Sequence, residues 1–315
     1  MATAPTGHDF PRLITIAGPT ASGKSEVALL LAERVDGEII SVDSMQVYRG
    51  MDIGTAKPGP AERTRVPHHL IDVVEVSQPF NAAQFSERAH NTVREIYERN
   101  RVAILCGGTG LYFRAFFQGI GRAPPADPAL REQLERCSIQ ALLDELRRRD
   151  PVTYQNIDRK NRRRVIRAIE VIRLTGRPFA EQKSPWQLRP LPHAFGLRRE
   201  VTDLRERINR RVDLIFKQGL VKETRCLLDS GLAANPTALQ ALGYRQVVEH
   251  IQGRRGLEET IELVKLRTRQ FAKRQLTWFR RQLALNWIEV PATESAGRTA
   301  GRIIDASLTA APSPG

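Results

Sequence analysis

The chain has 315 residues and a formal net charge of +14, with 49 lysines and arginines against 35 aspartates and glutamates. Its content of 41% hydrophobic and 27% charged residues is that of a globular protein and excludes an intrinsically disordered chain. The length exceeds one average domain, which predicts either two compact units or a core with a large insertion.

The first 121 residues alternate predicted strands and helices. Short apolar runs predict strands at residues 13–17, 38–42, 69–74 and 102–106, and helical spacing predicts helices at residues 24–35 and 81–100. Asn81, with Gln84 three residues later, resembles a capping box at the start of the second helix. Strands that alternate with helices indicate an α/β fold with a doubly wound parallel sheet.

A helical segment interrupts this pattern after residue 121. Pro124 and Pro125 break the chain, Asp127 and Ser138 have the positions of helix N-caps, and Gly176 has the position of a helix end. A second break contains Pro185, Pro190 and Pro192. We therefore predict a core of residues 12–121, an inserted helical subdomain of residues 122–192, and a return to the core over residues 193–292.

The returning part is predicted to be mostly helical. We expect a strand at residues 193–197, helices at residues 204–218, 238–251 and 257–282, and a short strand at residues 287–290. The tail, residues 293–315, is rich in small residues, which predicts a weak helix or disorder.

A phosphate-binding loop follows the first predicted strand. The loop matches G-x-x-x-x-G-K-[ST] and consists of Gly18, Pro19, Thr20, Ala21, Ser22, Gly23, Lys24 and Ser25. Its backbone N–H groups and the helix N-terminus bind anionic oxygens, Lys24 adds a positive charge, and the Ser25 hydroxyl can hold Mg²⁺. The motif predicts a P-loop NTPase-like fold, but a nucleoside triphosphate and a diphosphate leaving group remain open as ligands.

Two further motifs follow the second and fourth strands, where open α/β sheets bind their ligands. The first is Asp43-Ser44-Met45-Gln46-Val47-Tyr48, and the second is Gly107-Gly108-Thr109-Gly110-Leu111-Tyr112. Asp43 can hold Mg²⁺ through water, act as a general base, or simply cap a turn. Arg207 and Arg211 are four residues apart on a predicted helix and could clamp a diphosphate from the far side.

The positive charge lies entirely in the later part of the chain. Residues 1–120 hold 12 basic and 13 acidic residues, whereas residues 121–315 hold 37 and 22. Eight basic residues and one acid lie between positions 159 and 177, and seven basic residues and no acid lie between positions 265 and 281. A polyanion, either nucleic acid or an acidic membrane surface, is the usual partner of such a surface, although a solvated charged face has the same composition.

Each basic segment also has an apolar face. Arg163 and Arg167 share one helix face, and Val165 lies on the opposite, packed face. In the later segment Trp278 can stack on a base or pack against the core, and we favour packing.

Together these motifs resemble the tRNA dimethylallyltransferases, the bacterial tRNA isopentenyltransferase family. The resemblance spans residues 12–290 in order and includes Met51-Asp52-Ile53-Gly54-Thr55-Ala56-Lys57-Pro58, Pro67-His68-His69, Gly243-Tyr244-Arg245-Gln246 and Lys273-Arg274-Gln275-Leu276-Thr277-Trp278-Phe279-Arg280. It implies transfer of a dimethylallyl group from its diphosphate to N6 of the adenosine immediately 3′ of the anticodon, tRNA position 37. Mg²⁺ is the implied cofactor, and the anticodon stem-loop is the implied RNA partner.

The resemblance also implies roles for individual residues. The loop from Thr20 to Ser25 would bind the diphosphate, Asp43 would be the general base, and Thr109 would position the adenosine. The residues that would contact tRNA are Asp43, Ser44, Met45, Gln46, Thr109, Arg131, Arg163, Arg164, Val165, Ile166, Arg167, Gln240, Ala241, Leu242, Gly243, Tyr244, Arg245, Gln246, Lys273, Arg274, Gln275, Leu276, Thr277, Trp278, Phe279 and Arg280.

Three other functions compete with this interpretation. An adenylate isopentenyltransferase would use a free nucleotide as acceptor, but a free nucleotide does not require a large basic surface. A P-loop kinase or ATPase would bind ATP in the loop, with Asp43 on Mg²⁺. A non-catalytic RNA-binding protein would leave Asp43, Thr109 and the loop without a role.

The expected location is the cytoplasm. The first 12 residues lack the basic and apolar regions of a signal peptide, and no apolar run reaches membrane-spanning length. The three cysteines are far apart and odd in number, which fits a reducing compartment and argues against structural zinc. No feature of the sequence requires more than a monomer.

Overall fold

The computed structural model describes residues 12–119, 121, 123–182 and 190–309. It divides the chain into two compact units, one formed by Met1–Phe117 and Leu188–Gly315, the other by Gln118–Gln187. The second unit begins and ends a few residues earlier than the predicted insertion of residues 122–192. The predicted break at Pro185 and the end of the tail, residues 310–315, lie outside the described residues.

The first unit is built on a six-stranded sheet. The strands are β1 (Leu13–Ala17), β2 (Gly37–Val42), β3 (His68–His69), β4 (Val102–Gly107), β5 (Pro190–Arg198) and β6 (Ala284–Glu289). Their order in the sheet is β3-β2-β4-β1-β5-β6. All of the paired strands run parallel, which confirms the predicted α/β class.

Two hydrophobic clusters cover the two faces of the sheet. Successive side chains of a strand point to opposite faces, so Ala103 and Leu105 belong to one cluster while Ile104 and Cys106 belong to the other. The helices of this unit are α1 (Lys24–Arg34), α2 (Pro60–Arg65), α3 (Ala82–Glu98) and α4 (Gly110–Gln118), followed after the insertion by α10 (Val201–Lys217), α11 (Leu220–Asp229), α12 (Tyr244–Ile251), α13 (Leu257–Gln282) and α14 (Ala296–Thr309).

The insertion forms a separate helical unit. Its helices are α5 (Pro128–Arg136), α6 (Ile139–Arg149), α7 (Pro151–Asn156), α8 (Arg162–Thr175) and α9 (Phe179–Gln182). The predicted caps are confirmed, because Asp127 accepts from the N–H of Leu130 and Ser138 accepts from the N–H of Ala141. Gly176 ends α8 in the left-handed conformation, with φ of 70°.

Three local predictions differ from the structure. The third strand is shorter than residues 69–74, because positive φ angles of 59° at Leu70 and 56° at Asp72 turn the chain away from β2. The predicted helix at 238–251 is split by Gly243, whose φ is 91°, into a 3₁₀ turn and α12. Helix α11 was not predicted.

The tail forms a helix, which was one of the two predicted states. Ala300 and Ile303 of α14 are fully buried in the cluster that includes Leu31 of α1. Burial of this apolar face stabilises a helix whose small residues carry little interaction of their own. Among the helices that the structure describes, none combines the length and apolar character needed to cross a membrane.

Candidate active site

A cavity of about 770 Å³ lies at the carboxyl ends of β1, β2 and β4. Its walls bring together the phosphate loop (residues 18–25), Asp43 and Thr109 with side chains from α10 and α13. All of the lining residues belong to the first unit. The three motifs that follow these strands in the sequence therefore meet in one site, as the topology of a parallel sheet predicts.

The phosphate loop has the backbone that its glycines predict. Gly23 has φ of 93°, and Ala21 also adopts a left-handed conformation with φ of 64°. Ser22, between them, is fully buried. Helix α1 begins immediately after Gly23, so its free N–H groups and the positive end of its dipole are directed at the cavity.

Side chains from the distant second part of the core hold three consecutive residues of this loop. The N–H of Thr20 donates to Oε1 of Gln275 at 2.9 Å. The carbonyl of Ala21 accepts from Nε of Arg207 at 3.0 Å, and the carbonyl of Ser22 accepts from Nε of Arg199 at 2.8 Å. Sequence motifs did not identify Arg199; the signal that could have found it is its spacing of four residues from Asp203 at the start of α10.

The side chains of Lys24 and Arg211 line the cavity. Lys24 donates to the carbonyl of Pro19 at 3.2 Å, and Arg211 donates to the carbonyl of Thr55 at 3.2 Å. Within the described residues neither cation forms an ion pair with a carboxylate. Burial lowers the pKa of both side chains. The negative charge of Asp43 offsets only part of this effect. A desolvated cation that forms no ion pair is costly, so a bound anion would stabilise both side chains.

Asp43 lies on a turn that begins where β2 ends. Its Oδ1 atom accepts from the N–H groups of Met45 at 2.8 Å and Gln46 at 3.3 Å. This is the turn role that the sequence left open for an aspartate here. The carboxylate is half-buried and lines the cavity, so the turn also directs it toward the space where a ligand binds.

Thr109 fixes the turn that carries Asp43. Its Oγ1 atom accepts from the N–H of Ser44 at 3.0 Å, and its own N–H donates to the carbonyl of Val42 at 3.1 Å. Gly107, two residues before Thr109, permits this approach, because a Cβ there would lie 2.1 Å from the Val42 carbonyl oxygen.

A second loop, residues 52–57, completes the wall near Arg211. The hydroxyl of Tyr244 donates to Glu223 at 2.6 Å and accepts from the N–H of Gly54 at 3.1 Å, and Glu223 also accepts from the N–H of Ile53. Burial and the adjacent Glu223 carboxylate raise the pKa of Tyr244. Sequence reasoning missed Glu223, because the helix that carries it, α11, has no clear signal in the sequence.

The predicted RNA contacts in the insertion are of two kinds. Arg131 and Arg167 bind the fully buried carboxylate of Glu170 at 2.8 and 2.7 Å, so these two arginines neutralise an internal charge. Arg163 and Arg164 are exposed on α8.

The remaining predicted contacts differ in how exposed they are. Exposed positions are Gln240, Arg245, Lys273, Arg274, Thr277 and Arg280; half-buried positions are Ser44, Met45, Gln46, Leu242, Leu276 and Trp278; and Ala241, Tyr244 and Gln275 are buried residues that line the cavity. Five others are buried and do not line the cavity: Val165, Ile166, Gly243, Gln246 and Phe279.

Trp278 packs, as we favoured. Its ring lies so close to α4 that a Cβ at Gly110 would be 2.3 Å from it, and it meets the ring of Phe279 edge to face at 5.5 Å. A shallow groove of about 510 Å³ borders the same tryptophan and is lined by Lys273, Arg274 and Arg281 among others. The exposed side of α13 is therefore basic, while its buried side contacts the site.

Comparison with known proteins gives one consistent family. Residues 46–282 match the family model described as IPP transferase. The chain is 46% identical to tRNA dimethylallyltransferase 1 of Trichlorobacter lovleyi over 89% of its own length and 94% of that protein. Tertiary structure agrees. A tRNA isopentenylpyrophosphate transferase of Bacillus halodurans matches with a TM-score of 0.69 and 40% identity over 95% of this chain and 98% of that one. A eukaryotic dimethylallyltransferase acting on tRNA matches with a TM-score of 0.75 and 25% identity over 96% and 80%.

Proposed function

The chain belongs to the IPP transferase family of tRNA dimethylallyltransferases, and we propose that it transfers a dimethylallyl group from dimethylallyl diphosphate to N6 of the adenosine at tRNA position 37. One observation carries the proposal. A single cavity combines a phosphate loop, the carboxylate of Asp43, and two desolvated cations, Lys24 and Arg211, that form no ion pair with a carboxylate among the described residues. Such a site can bind a diphosphate and accept a proton beside it.

The reaction exchanges one bond for another. The N6 atom attacks the first carbon of the dimethylallyl group, the bond from that carbon to the diphosphate oxygen breaks, and the N6 proton passes to Asp43. An exocyclic amine is a weak nucleophile, so the rate depends on stabilising the departing diphosphate. Preorganised N–H groups of the phosphate loop, Lys24 and Arg211 supply this stabilisation, and removal of one such donor typically costs about 10²–10³-fold in rate.

Asp43 is suited to the role of base by its position. One carboxylate oxygen is engaged by the turn, which fixes the side chain, and its other oxygen makes no hydrogen bond among the residues that the structure describes. A positioned general base contributes about 10²–10⁴-fold. Thr109 supports this geometry through its bond to Ser44.

The donor set suits Mg²⁺ that is bound largely by the substrate. Within the described residues there is no group of three or more histidine, cysteine, aspartate or glutamate side chains that could hold a metal ion. Ser25 and Asp43 line the cavity, and Mg²⁺ commonly uses one or two protein oxygens together with phosphate oxygens and water. We propose that Ser25 holds the ion, which would add positive charge at the diphosphate when bound.

The anticodon stem-loop is the proposed RNA partner. Exposed arginines on α8 and exposed basic residues on α13 offer sites for phosphates. The acceptor base must leave its stack, which costs a few kcal/mol, and the cavity provides an enclosed place for it. We propose that the protein acts as a monomer, in the cytoplasm with its tRNA.

The decisive experiment supplies the proposed substrates. The purified protein is incubated with tRNA from cells lacking this modification, dimethylallyl diphosphate and Mg²⁺, and the digested nucleosides are measured by mass spectrometry. We expect an adenosine with one added C5 prenyl group, absent with Asp43→Asn. Parallel reactions with AMP or ATP as acceptor, and a test for phosphate release from ATP, identify the two competing activities. Prenylated free nucleotide or released phosphate without modified tRNA would contradict the proposal.

A further inference from the structure

The side chain of Gln275 connects two loops of the site. Its Oε1 atom accepts from the N–H of Thr20 at 2.9 Å, and its Nε2 atom donates to the carbonyl of Gly108 at 2.9 Å. The residue is 8% exposed. Both polar atoms of its amide are therefore hydrogen-bonded, Oε1 to the phosphate loop and Nε2 to the loop after β4.

The bridge passes close to the backbone of Gly108. A Cβ at Gly108 would lie 2.5 Å from Nε2 of Gln275 and 3.4 Å from the carbonyl oxygen of Gly18. The absence of a side chain at Gly108 therefore lets the amide reach both loops. Both hydrogen bonds of this buried amide go to elements far away in the sequence.

The bridge continues to Asp43 through a short series of bonds. Gly108 precedes Thr109, Thr109 accepts from the N–H of Ser44, and Ser44 follows Asp43 in the turn. At its other end the bridge holds Thr20, in the loop that also carries Lys24. One amide thereby links the place where the diphosphate departs with the place where the proton is accepted.

We propose that Gln275 is a positioning residue that fixes the separation between the phosphate loop and the turn of Asp43. The proposal rests on the proposed function and extends it. Transfer requires the leaving diphosphate, the reacting carbon, N6 and the base to be held in one alignment, and a displacement of about 1 Å can cost 10²-fold in rate. Gln275 does not touch the reacting atoms, and it acts through Thr20 and Gly108.

The test separates alignment from general stability. Gln275→Met keeps the length of the side chain but removes both hydrogen bonds. We expect kcat for tRNA prenylation to fall about 10²-fold, with KM for tRNA changed less than about threefold, because the exposed basic face of α13 is untouched. If the methionine variant folds poorly, Gln275→Asn replaces it, because asparagine is too short to bridge both loops. This variant should likewise lower kcat while leaving KM for tRNA nearly unchanged.

A matched control lies on the same helix. Thr260 is fully buried on α13, and its hydroxyl bonds only to the carbonyl of Gly256. Thr260→Val should lower the melting temperature without lowering kcat more than about twofold. If Gln275→Met retains kcat within twofold of the wild type, or if Thr260→Val loses as much kcat, the positioning role is wrong.

A double-mutant cycle tests the route of the effect. Thr109→Val removes the acceptor for the Ser44 N–H, so its loss in kcat and that of Gln275→Met should be strongly non-additive, since both release the same turn. Additive losses would overturn the proposal. A wild-type protein that does not prenylate tRNA would refute the proposed function itself, and a prenylating wild type with an active Gln275→Met would refute only this inference.

Discussion

Arg199 donates from its Nε atom to the backbone carbonyl of Ser22 at 2.8 Å, so a side chain that follows β5 holds the phosphate loop that follows β1. The same guanidinium forms an ion pair with Asp203 at 2.9 Å, and the two side chains are only 6% and 10% exposed. The loop is therefore held by a buried charged pair that lies outside its own motif.

Arg199→Met should both destabilise the protein and loosen the loop. Removal of one partner leaves Asp203 buried without its counter-charge, which costs about 3–5 kcal/mol of unfolding free energy. The double variant Arg199→Met with Asp203→Leu should recover most of that stability but not the affinity for diphosphate, because Ser22 still lacks its partner. Denaturant unfolding and calorimetric titration with inorganic diphosphate measure the two effects. Full recovery of affinity in the double variant would show that Arg199 acts on stability alone.

Asp43→Asn should abolish most turnover with little change in RNA binding. An asparagine keeps an oxygen that can accept from Met45 and Gln46, so the turn should remain. The lost proton acceptor should lower kcat by about 10²–10⁴-fold, while the dissociation constant for tRNA stays within a few-fold. Single-turnover prenylation and filter binding make the comparison. Wild-type turnover in this variant would remove Asp43 from the role of base.

Diphosphate binding should weaken at alkaline pH through Lys24. Burial lowers the pKa of Lys24 below the ordinary lysine value, so the free protein loses this proton, and its attraction for the anion, as pH rises through the lowered pKa. The thiol of Cys106 beside it stays neutral until the pH approaches its own pKa, which burial raises to about 11. Titrations of dimethylallyl diphosphate from neutral to alkaline pH should show the decline in the wild type, whereas Lys24→Met should bind weakly at every pH. An identical decline in that variant would assign the titration to another group.

Tyr244→Phe should loosen the loop of residues 52–57. The variant removes the hydroxyl that joins Glu223 to the N–H of Gly54 and leaves those groups less well paired, at a cost of about 1–3 kcal/mol. Because Thr55 in that loop accepts from Arg211, we also expect weaker diphosphate binding. Thermal unfolding and the same titration test both consequences. Unchanged diphosphate affinity would show that Arg211 is held independently of the loop.

RNA binding should depend steeply on salt. Each phosphate contact releases counterions, so the logarithm of the binding constant should fall linearly with the logarithm of the salt concentration. Lys273→Gln and Arg163→Gln, at exposed positions, should each reduce the slope by about one if they contact phosphates. Ile166→Val, at a buried position of α8, is the matched control and should leave the slope unchanged. A flat salt response in the wild type would contradict the electrostatic interface.

The sequence determined the fold class and the identity of the main motifs. Apolar runs and the G-x-x-x-x-G-K-S motif are patterns of residues close together in the sequence. The bounds of β1, α1, β4 and α13 could therefore be predicted closely. The end of the third strand could not, because a leucine rarely adopts the positive φ that Leu70 has. The split before α12 could not either, because a glycine such as Gly243 adopts positive and negative φ about equally readily.

Only the tertiary structure decided which residues support the site. The resemblance placed Gln275 among the RNA contacts, and in the structure its side chain bonds to Thr20 and Gly108. Helix spacing suggested that Arg207 binds the diphosphate, and in the structure one of its donors bonds to the carbonyl of Ala21. Helix spacing tells which residues share a face, but hydrogen bonds between loops far apart in the chain depend on how β5, α10 and α13 return to the sheet. The motif residues can be recognised in the sequence, because the pattern that identifies them is local. The residues that hold the motifs in place cannot, because each acts through a contact that exists only after the chain has folded.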